Sequence, residues 1–366
     1  MRLVVFFSRG MSLDGWRRAG ILDRELSLYR GLLPHLEHLA FVTYGGADEH
    51  LLSASLPGVD VLPNRWALPS NLYSVLAPLL HRRALGKATV FKTNQINGAW
   101  CGVIAKRLFH KKLVVRCGYL WADFMARERG AGWRRPAALR LERWVFGSAD
   151  EVIVATEADR DTVLARYHLD AGRVSVIPNY VDTAIFRPMP DTKPEPGRVT
   201  FVGRLDEQKN VGALIEALEG MEDTTLVIVG DGPLRAGLEA AAARRRVNAT
   251  FLGRRPQGEL PELLNRSAVF VLPSHYEGNP KALVEAMSCG VPVVGTRVPG
   301  IREVLEHRET GYLCGTSPGE IRSALREVLG DATLRTRMGA GATAYVRRRC
   351  SLDAAIEQEL AVLRAV

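Results

Sequence analysis

Cysteine is scarce in this chain: five in 366 residues (Cys101, Cys117, Cys289, Cys314 and Cys350), with no Cys-x-x-Cys spacing. That argues against a disulfide framework or a thiolate metal site and leaves small buried hydrophobes as their expected state. Long apolar runs are missing too, since none approaches the roughly 20 residues of a spanning helix. Met1-Arg-Leu-Val-Val-Phe-Phe7 is too short in its apolar part for a secretory signal and is expected to form a first strand of a cytoplasmic protein. No nucleic-acid recognition motif is present, so no nucleic-acid partner is expected. The second half carries neither Asp-x-Asp nor a histidine cluster, so no metal is expected there.

What the chain does have is the composition of a soluble globular protein, 47% hydrophobic and 24% charged, at a length that favours two domains. Its charge is uneven. Residues 1–185 hold 25 Lys/Arg and 17 Asp/Glu, a net of +8, whereas residues 186–366 hold 24 and 23, a net of +1. A basic first half implies an anionic partner, unless the excess arginine is merely a solvated, proteome-wide bias. Basic residues interleave with aromatics at Trp16-Arg-Arg18, Arg65-Trp66, Trp133-Arg-Arg135 and Arg143-Trp144, a composition suited to an anionic membrane surface.

Strand-like and helix-like runs alternate. Strands are expected at Arg2–Phe7, His38–Tyr44, Thr89–Lys92, Leu113–Arg116, Glu151–Val154 and Val174–Ile177, with helices at Gly20–Leu33, Leu72–Leu85, Gly98–Phe109, Pro136–Phe146 and Ala158–Tyr167. The second half repeats the pattern at Val199–Val202, Thr225–Val229, Thr250–Leu252, Ala268–Leu272, Pro292–Gly295 and Gly311–Cys314, with helices from Val211, Pro233, Pro261, Pro280 and Pro318. Such alternation predicts α/β architecture: two doubly wound, Rossmann-like domains of parallel sheet covered on both faces. Phe186–Gly197 contains four prolines and reads as a linker at 186–197, between domains at 1–185 and 198–348.

The most informative segment is Ser274-His-Tyr-Glu-Gly-Asn-Pro-Lys-Ala-Leu-Val-Glu-Ala-Met-Ser-Cys-Gly290. It follows a strand-like run and becomes helix-forming near Pro280, a residue that fits a first helical turn. Backbone N–H groups of Asn279, Lys281 and Ala282, with the positive end of the dipole, would then face an anion such as a diphosphate. Glu277 before the helix and Glu285 inside it are carboxylates suited to sugar and ribose hydroxyls. A second loop, Gly203-Arg-Leu-Asp-Glu-Gln-Lys209, carries two cations at a strand's carboxyl end: Arg204 for bidentate contact and Lys209 as a point charge. Gly203 permits close backbone approach. Gly230-Asp-Gly-Pro-Leu-Arg235 lacks the third glycine of a dinucleotide loop and reads as a turn. Asn179 and Asp182 are expected to cap turns.

Together these stretches, with Val202-Gly-Arg-Leu205, Ile228-Val-Gly-Asp-Gly-Pro-Leu234, Phe251-Leu-Gly253, Glu277–Val294, Gly300-Ile-Arg-Glu303 and the hinge-like Ile177–Phe186, resemble retaining glycosyltransferases of family 4, of glycosyl transferases group 1. The resemblance implies the GT-B fold, with the two domains facing across a cleft and a last helix, 349–366, packing back on the first domain; Leu352–Ala365 is the candidate. It implies that Arg204 and Lys209 hold a donor diphosphate, Glu277 touches the transferred sugar and Glu285 the ribose. Gly278, Asn279, Pro280, Lys281, Ala282 and Leu283 would line sugar and phosphate, with Arg254 and Arg255 near the base. Arg204, Lys209 and Glu277 are the expected catalytic residues. The donor is a substrate, a UDP- or GDP-sugar, and no cofactor is implied.

The first domain departs from the family pattern. Where relatives carry a Gly-Gly pair, this chain has Ser8-Arg-Gly-Met-Ser-Leu-Asp-Gly-Trp16, and Arg116 and Gly118 stand near where relatives offer a histidine. Arg9, Gly10, Met11, Asn94 of Lys92-Thr-Asn-Gln-Ile-Asn97, Arg116 and Gly118 are the candidate acceptor contacts. The expected reaction is retaining, metal-independent transfer of a hexose to an acceptor hydroxyl. A lipid-linked saccharide at the cytoplasmic membrane, as in polysaccharide or glycolipid assembly, fits the basic first half. A soluble acceptor, a non-catalytic sugar-nucleotide-binding role and a GT-B epimerase are the alternatives.

Overall fold

A computed structural model of the chain describes residues 1–49, 51, 56–127 and 134–366. Contacts divide it into two units, Met1–Pro178 with Ala355–Val366, and Asn179–Ala354. Trp133, one of the aromatics interleaved with arginine, lies outside the described residues.

In the first unit the apolar runs form β1 (Arg2–Phe6), β2 (His38–Val42), β3 (Val59–Leu62), β4 (Val90–Thr93), β5 (Lys112–Cys117), β6 (Glu151–Val154) and β7 (Val174–Val176). They pair in parallel in the order β3-β2-β1-β4-β5-β6-β7. Successive residues Leu3, Val4, Val5 and Phe6 are all buried, as a sheet covered on both faces requires. β3 is an addition to the expected set. It is a four-residue edge strand between Gly58 and Pro63, too short to stand out from its turn residues. The helix expected over Leu72–Leu85 forms as Ser70–Leu80 and Arg82–Leu85. The break falls at His81, whose φ of −101° and ψ of 18° leave the helical region. The helix Leu352–Ala365 spans the expected residues, and from Ala355 it belongs to this unit. Gly31 leaves it room, for a Cβ there would lie 2.1 Å from Ile356.

The second unit contains β8 (Arg198–Val202), β9 (Thr225–Val229), β10 (Ala249–Gly253), β11 (Val269–Leu272), β12 (Val293–Thr296) and β13 (Tyr312–Cys314). They too are parallel, ordered β10-β9-β8-β11-β12-β13. Phe201, Ile228, Phe270, Leu283, Met287 and Val293 fill its core. An 18-residue helix, Ala332–Arg349, has no counterpart among the expected elements. Its Gly339 and Gly341 weaken helix propensity, yet a Cβ at either would lie 2.4 Å from a backbone oxygen, of Gly290 and Glu309 respectively. Close packing decides that element.

The expected linker is part of this unit. The division falls between Pro178 and Asn179, ahead of the expected boundary at 185, because Val181 bridges to Ser351 and Phe186 is fully buried in the second core. Residues 187–197 are bonded along their length: Met189 N–H donates to Asn265 Oδ1 (2.8 Å), Asn265 Nδ2 to Arg187 O (3.0 Å) and Glu195 N–H to Arg266 O (2.9 Å). Proline here shapes a surface strap.

In each sheet one strand marks a reversal of winding, β1 between β2 and β4, and β8 between β9 and β11. Loops leaving such neighbouring strands diverge and open a crevice at their carboxyl ends. Arg9, Gly10, Met11, Asn94, Gly203, Arg204, Lys209 and Glu277 lie on those loops, whereas Arg116 and Gly118 are on and just after β5 and Arg254 follows β10.

Candidate functional site

In the second unit the loops after β8 and β11 are knitted together by backbone and amide bonds. Asn210, in the left-handed region at φ 51°, donates from Nδ2 to Pro273 O (3.1 Å) and Thr316 O (3.0 Å). Gln208 Nε2 donates to Tyr276 O (3.0 Å), and His275 N–H donates to Gln208 O (2.8 Å). Asp206 starts the intervening turn by accepting from Lys209 N–H (3.3 Å). This frame brings Lys209 Nζ to 2.5 Å from Glu277 Oε1, which also accepts from Ser274 Oγ at 2.6 Å. Ser274 O in turn accepts from Thr296 Oγ1 at 2.5 Å. Lys209 and Glu277 are largely shielded, with side chains 18% and 6% exposed. Arg204, on the same loop, is 74% exposed and touches Asp206 at 3.1 Å. The two cations therefore differ: one is pre-paired, the other reaches into solvent.

Glycines press the backbone close around this point. A Cβ on Gly230 (φ 136°) would lie 1.8 Å from Gly203 O, and one on Gly300 1.8 Å from Gly278 O. The turn at Gly230–Leu234 thus packs on the β8 loop, with Leu205 N–H donating to Asp231 O (3.1 Å).

Beyond Gly278 the chain enters the helix Lys281–Ser288, whose N-cap is Pro280 and which no side chain caps. Asn179 Nδ2 fastens the entry by donating to Asn279 O (2.7 Å), and Lys281 Nζ lies 5.9 Å from the Tyr180 ring centroid. Ala282 is half-buried. Leu283 is fully buried, and its N–H donates to Pro280 O (3.2 Å), so it serves the core and the helix itself. Glu285 is buried on the same helix. Arg254 is exposed after Gly253, while neighbouring Arg255 pairs with Glu259 at 3.4 Å.

The first unit holds its candidates differently. Arg9 N–H donates to Asn97 O (3.0 Å), tying the β1 and β4 loops, and Gly98 (φ 99°) must stay small because a Cβ would lie 2.7 Å from Arg9 N. The Arg9 guanidinium bonds Asn71 and lies 5.9 Å from the Trp100 ring centroid. Gly10 (φ 79°) and Met11 complete the turn, Met11 N–H donating to Ser8 O (2.9 Å). Gly118 N–H donates to Gln95 Oε1 (2.9 Å).

One candidate there, Arg116, is committed to structure, and so is Lys92 of the segment that carries Asn94. Arg116 donates to Glu359 Oε1 (2.9 Å) and to Ile177 O (3.4 Å), so its guanidinium is turned toward the last helix and away from an acceptor role. Lys92, in the segment expected to be polar loop, is fully buried on β4, 2.9 Å from Glu359 Oε2 and 5.4 Å from the Tyr29 ring centroid. Burial pushes its ammonium pKa below the ordinary lysine value; Glu359 opposes that shift and Arg116 adds to it. Asn94, two residues further on, accepts from the Tyr29 hydroxyl. Glu359 escaped sequence reasoning; its signal was a carboxylate amid the buried positions Ala355, Leu360, Val362 and Leu363.

Among known proteins, residues 183–345 match the family model described as Glycosyl transferases group 1, and residues 32–185 the model of Glycosyltransferase Family 4. The chain is 31% identical to a glycogen synthase of Mycobacterium tuberculosis over 62% of its length, and it spans about half of that protein (56%). It is 27% identical to a D-inositol 3-phosphate glycosyltransferase of Salinispora tropica, over 92% of this chain and 76% of that one. In structure it is similar to Anabaena HepE in complex with UDP, with a TM-score of 0.79 over all of both chains at 21% identity.

Proposed function

From the premise that this chain belongs to the family 4 glycosyltransferases of GT-B fold, we propose that it transfers a hexose from a UDP- or GDP-sugar to an acceptor hydroxyl with retention at the anomeric carbon. The observation that carries this reading is the Lys209–Glu277 pair at the mouth of the helix Lys281–Ser288, on the two loops of the β8/β11 switch point. Breaking the glycosidic bond moves negative charge onto the diphosphate. Arg204, Lys209 and the helix N-terminus are the groups that stabilise it, with Lys209 already oriented by Glu277 before the reaction. Lys209 serves both partners: it holds the Glu277 carboxylate in place for sugar hydroxyls and keeps N–H donors for phosphate. Glu285 takes the ribose hydroxyls, and Arg254 lies at the base.

With Lys209 and Arg204 supplying the charge, transfer proceeds without a divalent ion, and chelation leaves the rate unchanged. The binding of UDP by HepE supports a uridine donor first among the candidates. The acceptor is a lipid-linked saccharide met at the anionic inner face of the cytoplasmic membrane, which the basic first half supports. No helix among the described residues is long and apolar enough to cross a membrane. A second reading, a soluble hydroxyl acceptor, is favoured by the likeness to D-inositol 3-phosphate glycosyltransferase.

The test uses purified protein with UDP- and GDP-hexoses and both acceptor classes, with the product's anomeric configuration read by NMR. Lys209→Ala and Glu285→Ala each lower turnover by about two orders of magnitude or more, the range for loss of one charge-stabilising group. Near-normal turnover in both variants overturns the assignment.

A further inference from the structure

The outer face of the helix Ser70–Leu80 plays no part in either set of loops, yet it is strongly apolar. Leu72, Val75 and Leu79 are 47%, 49% and 54% exposed, at i, i+3 and i+7 on one face, while Tyr73, Ser74, Ala77 and Pro78 are buried beneath. Single exposed leucines are ordinary; three in register on one helix form a surface that water penalises.

Directly after this ridge come Arg82, Arg83 and Lys87, all exposed. The neighbouring helix Trp100–Phe109 packs alongside, through Trp100 Nε1 donating to Ser74 Oγ (2.9 Å) and Gly86 beside Phe109, and it ends in exposed Arg107, Leu108 and His110. Among the described residues none of Arg82, Arg83, Lys87 and Arg107 has a carboxylate ion-pair partner. Of the aromatics that the sequence interleaves with arginine, Trp16 is buried against Phe7, Trp66 packs edge-on to His81 at the ridge's end, and Trp144 is half-buried under Arg107.

We propose that this ridge and the basic cluster at its end are a docking face for an anionic lipid surface. The aliphatic side chains enter the headgroup boundary while the arginines and lysine meet lipid phosphates. The charge selects the partner, because two copies meeting through this face would oppose their own cations. The placement also serves the acceptor reading, on which it rests. Asn71 at the ridge's start holds the Arg9 side chain, so docking brings the Arg9–Met11 loop to the lipid surface.

The experiment is co-sedimentation of the full chain with vesicles of phosphatidylcholine, alone or mixed with phosphatidylglycerol, at low and high salt. The wild-type chain binds the mixed vesicles at low salt and not the neutral ones. Leu72→Ser/Val75→Ser/Leu79→Ser lowers that affinity about tenfold or more, and Arg82→Gln/Arg83→Gln lowers its salt dependence by about half. Both variants keep wild-type donor hydrolysis in free solution, which shows them folded. Unchanged vesicle binding by the triple variant overturns the proposal, as does equal binding to neutral vesicles or a wild-type dimer that the triple variant dissociates. Docking that follows these expectations in a chain without donor turnover would support the face and sink only the enzymatic reading.

Discussion

Glu359→Ala tests how the last helix is held. Both oxygens of this carboxylate are used, one by Lys92 and one by Arg116, and the Glu359 and Lys92 side chains are 0% exposed. Removing the carboxylate strands a buried ammonium, a change that costs about 3–5 kcal/mol. In a unit of roughly 200 residues each kcal/mol moves the melting temperature by about 2–4 °C, so a loss on the order of 10 °C is expected. The effect has a pH signature. Lys92 already titrates below its ordinary value because burial disfavours the charge, and losing Glu359 lowers it further. Between the folded and the unfolded pKa, the unfolded chain binds the extra proton. Stability therefore rises with pH through that window and falls again as pH drops through the folded value. The variant should be weaker at neutral pH than in alkaline buffer, where it recovers toward the wild type. Lys92→Met/Arg116→Met/Glu359→Leu removes all three charges of the cluster and should regain most of the loss at neutral pH. Calorimetry across pH provides the assay. A Glu359→Ala chain that melts with the wild type at neutral pH, or whose deficit grows as pH rises, would refute the reasoning.

Gly300→Ala should lower kcat/KM by about 10²-fold, because its Cβ would lie 1.8 Å from Gly278 O and displace the loop bearing Glu277; steady-state kinetics decide, and wild-type values would break that link. UDP at about 100 times its Kd should stabilise the second unit by about 2.7 kcal/mol, read as an upward thermal shift absent with free uridine. Burial pushes the thiols of Cys289 and Cys314 up to about 12 and that of Cys350 up to about 11, so none should label in the native chain at mildly alkaline pH. Rapid stoichiometric labelling of any of them would contradict the packing.

Much of the fold was legible because parallel strands buried on both faces read as continuous apolar runs. β6 and β9 occur where the pattern puts them, and the other expected strands shift only at their ends. Two of the elements that were missed share a cause: β3 and the helix Ala332–Arg349 owe their state to neighbours. In the latter, glycines that count against a helix locally are what let it touch Gly290 and Glu309. The candidate donor site was legible for a different reason. Its residues lie on two contiguous loops whose chemistry is carried by local sequence: cations after β8, carboxylates and a proline-started helix after β11. The first unit offered no such signal, since Lys92, Arg116 and Glu359 are far apart along the chain and meet only in the fold.

By itself, then, the sequence determined the alternation of strand and helix, the doubly wound sheets and the charge carried by the β8 and β11 loops, because periodicity and residue chemistry act over a few neighbouring positions. Only the tertiary structure decided that Lys209 spends its charge on Glu277, that Arg116 anchors the last helix, and that Leu72, Val75 and Leu79 stay in solvent. Each of those outcomes depends on which distant groups a side chain meets or fails to meet, and burial and pairing across the chain set that.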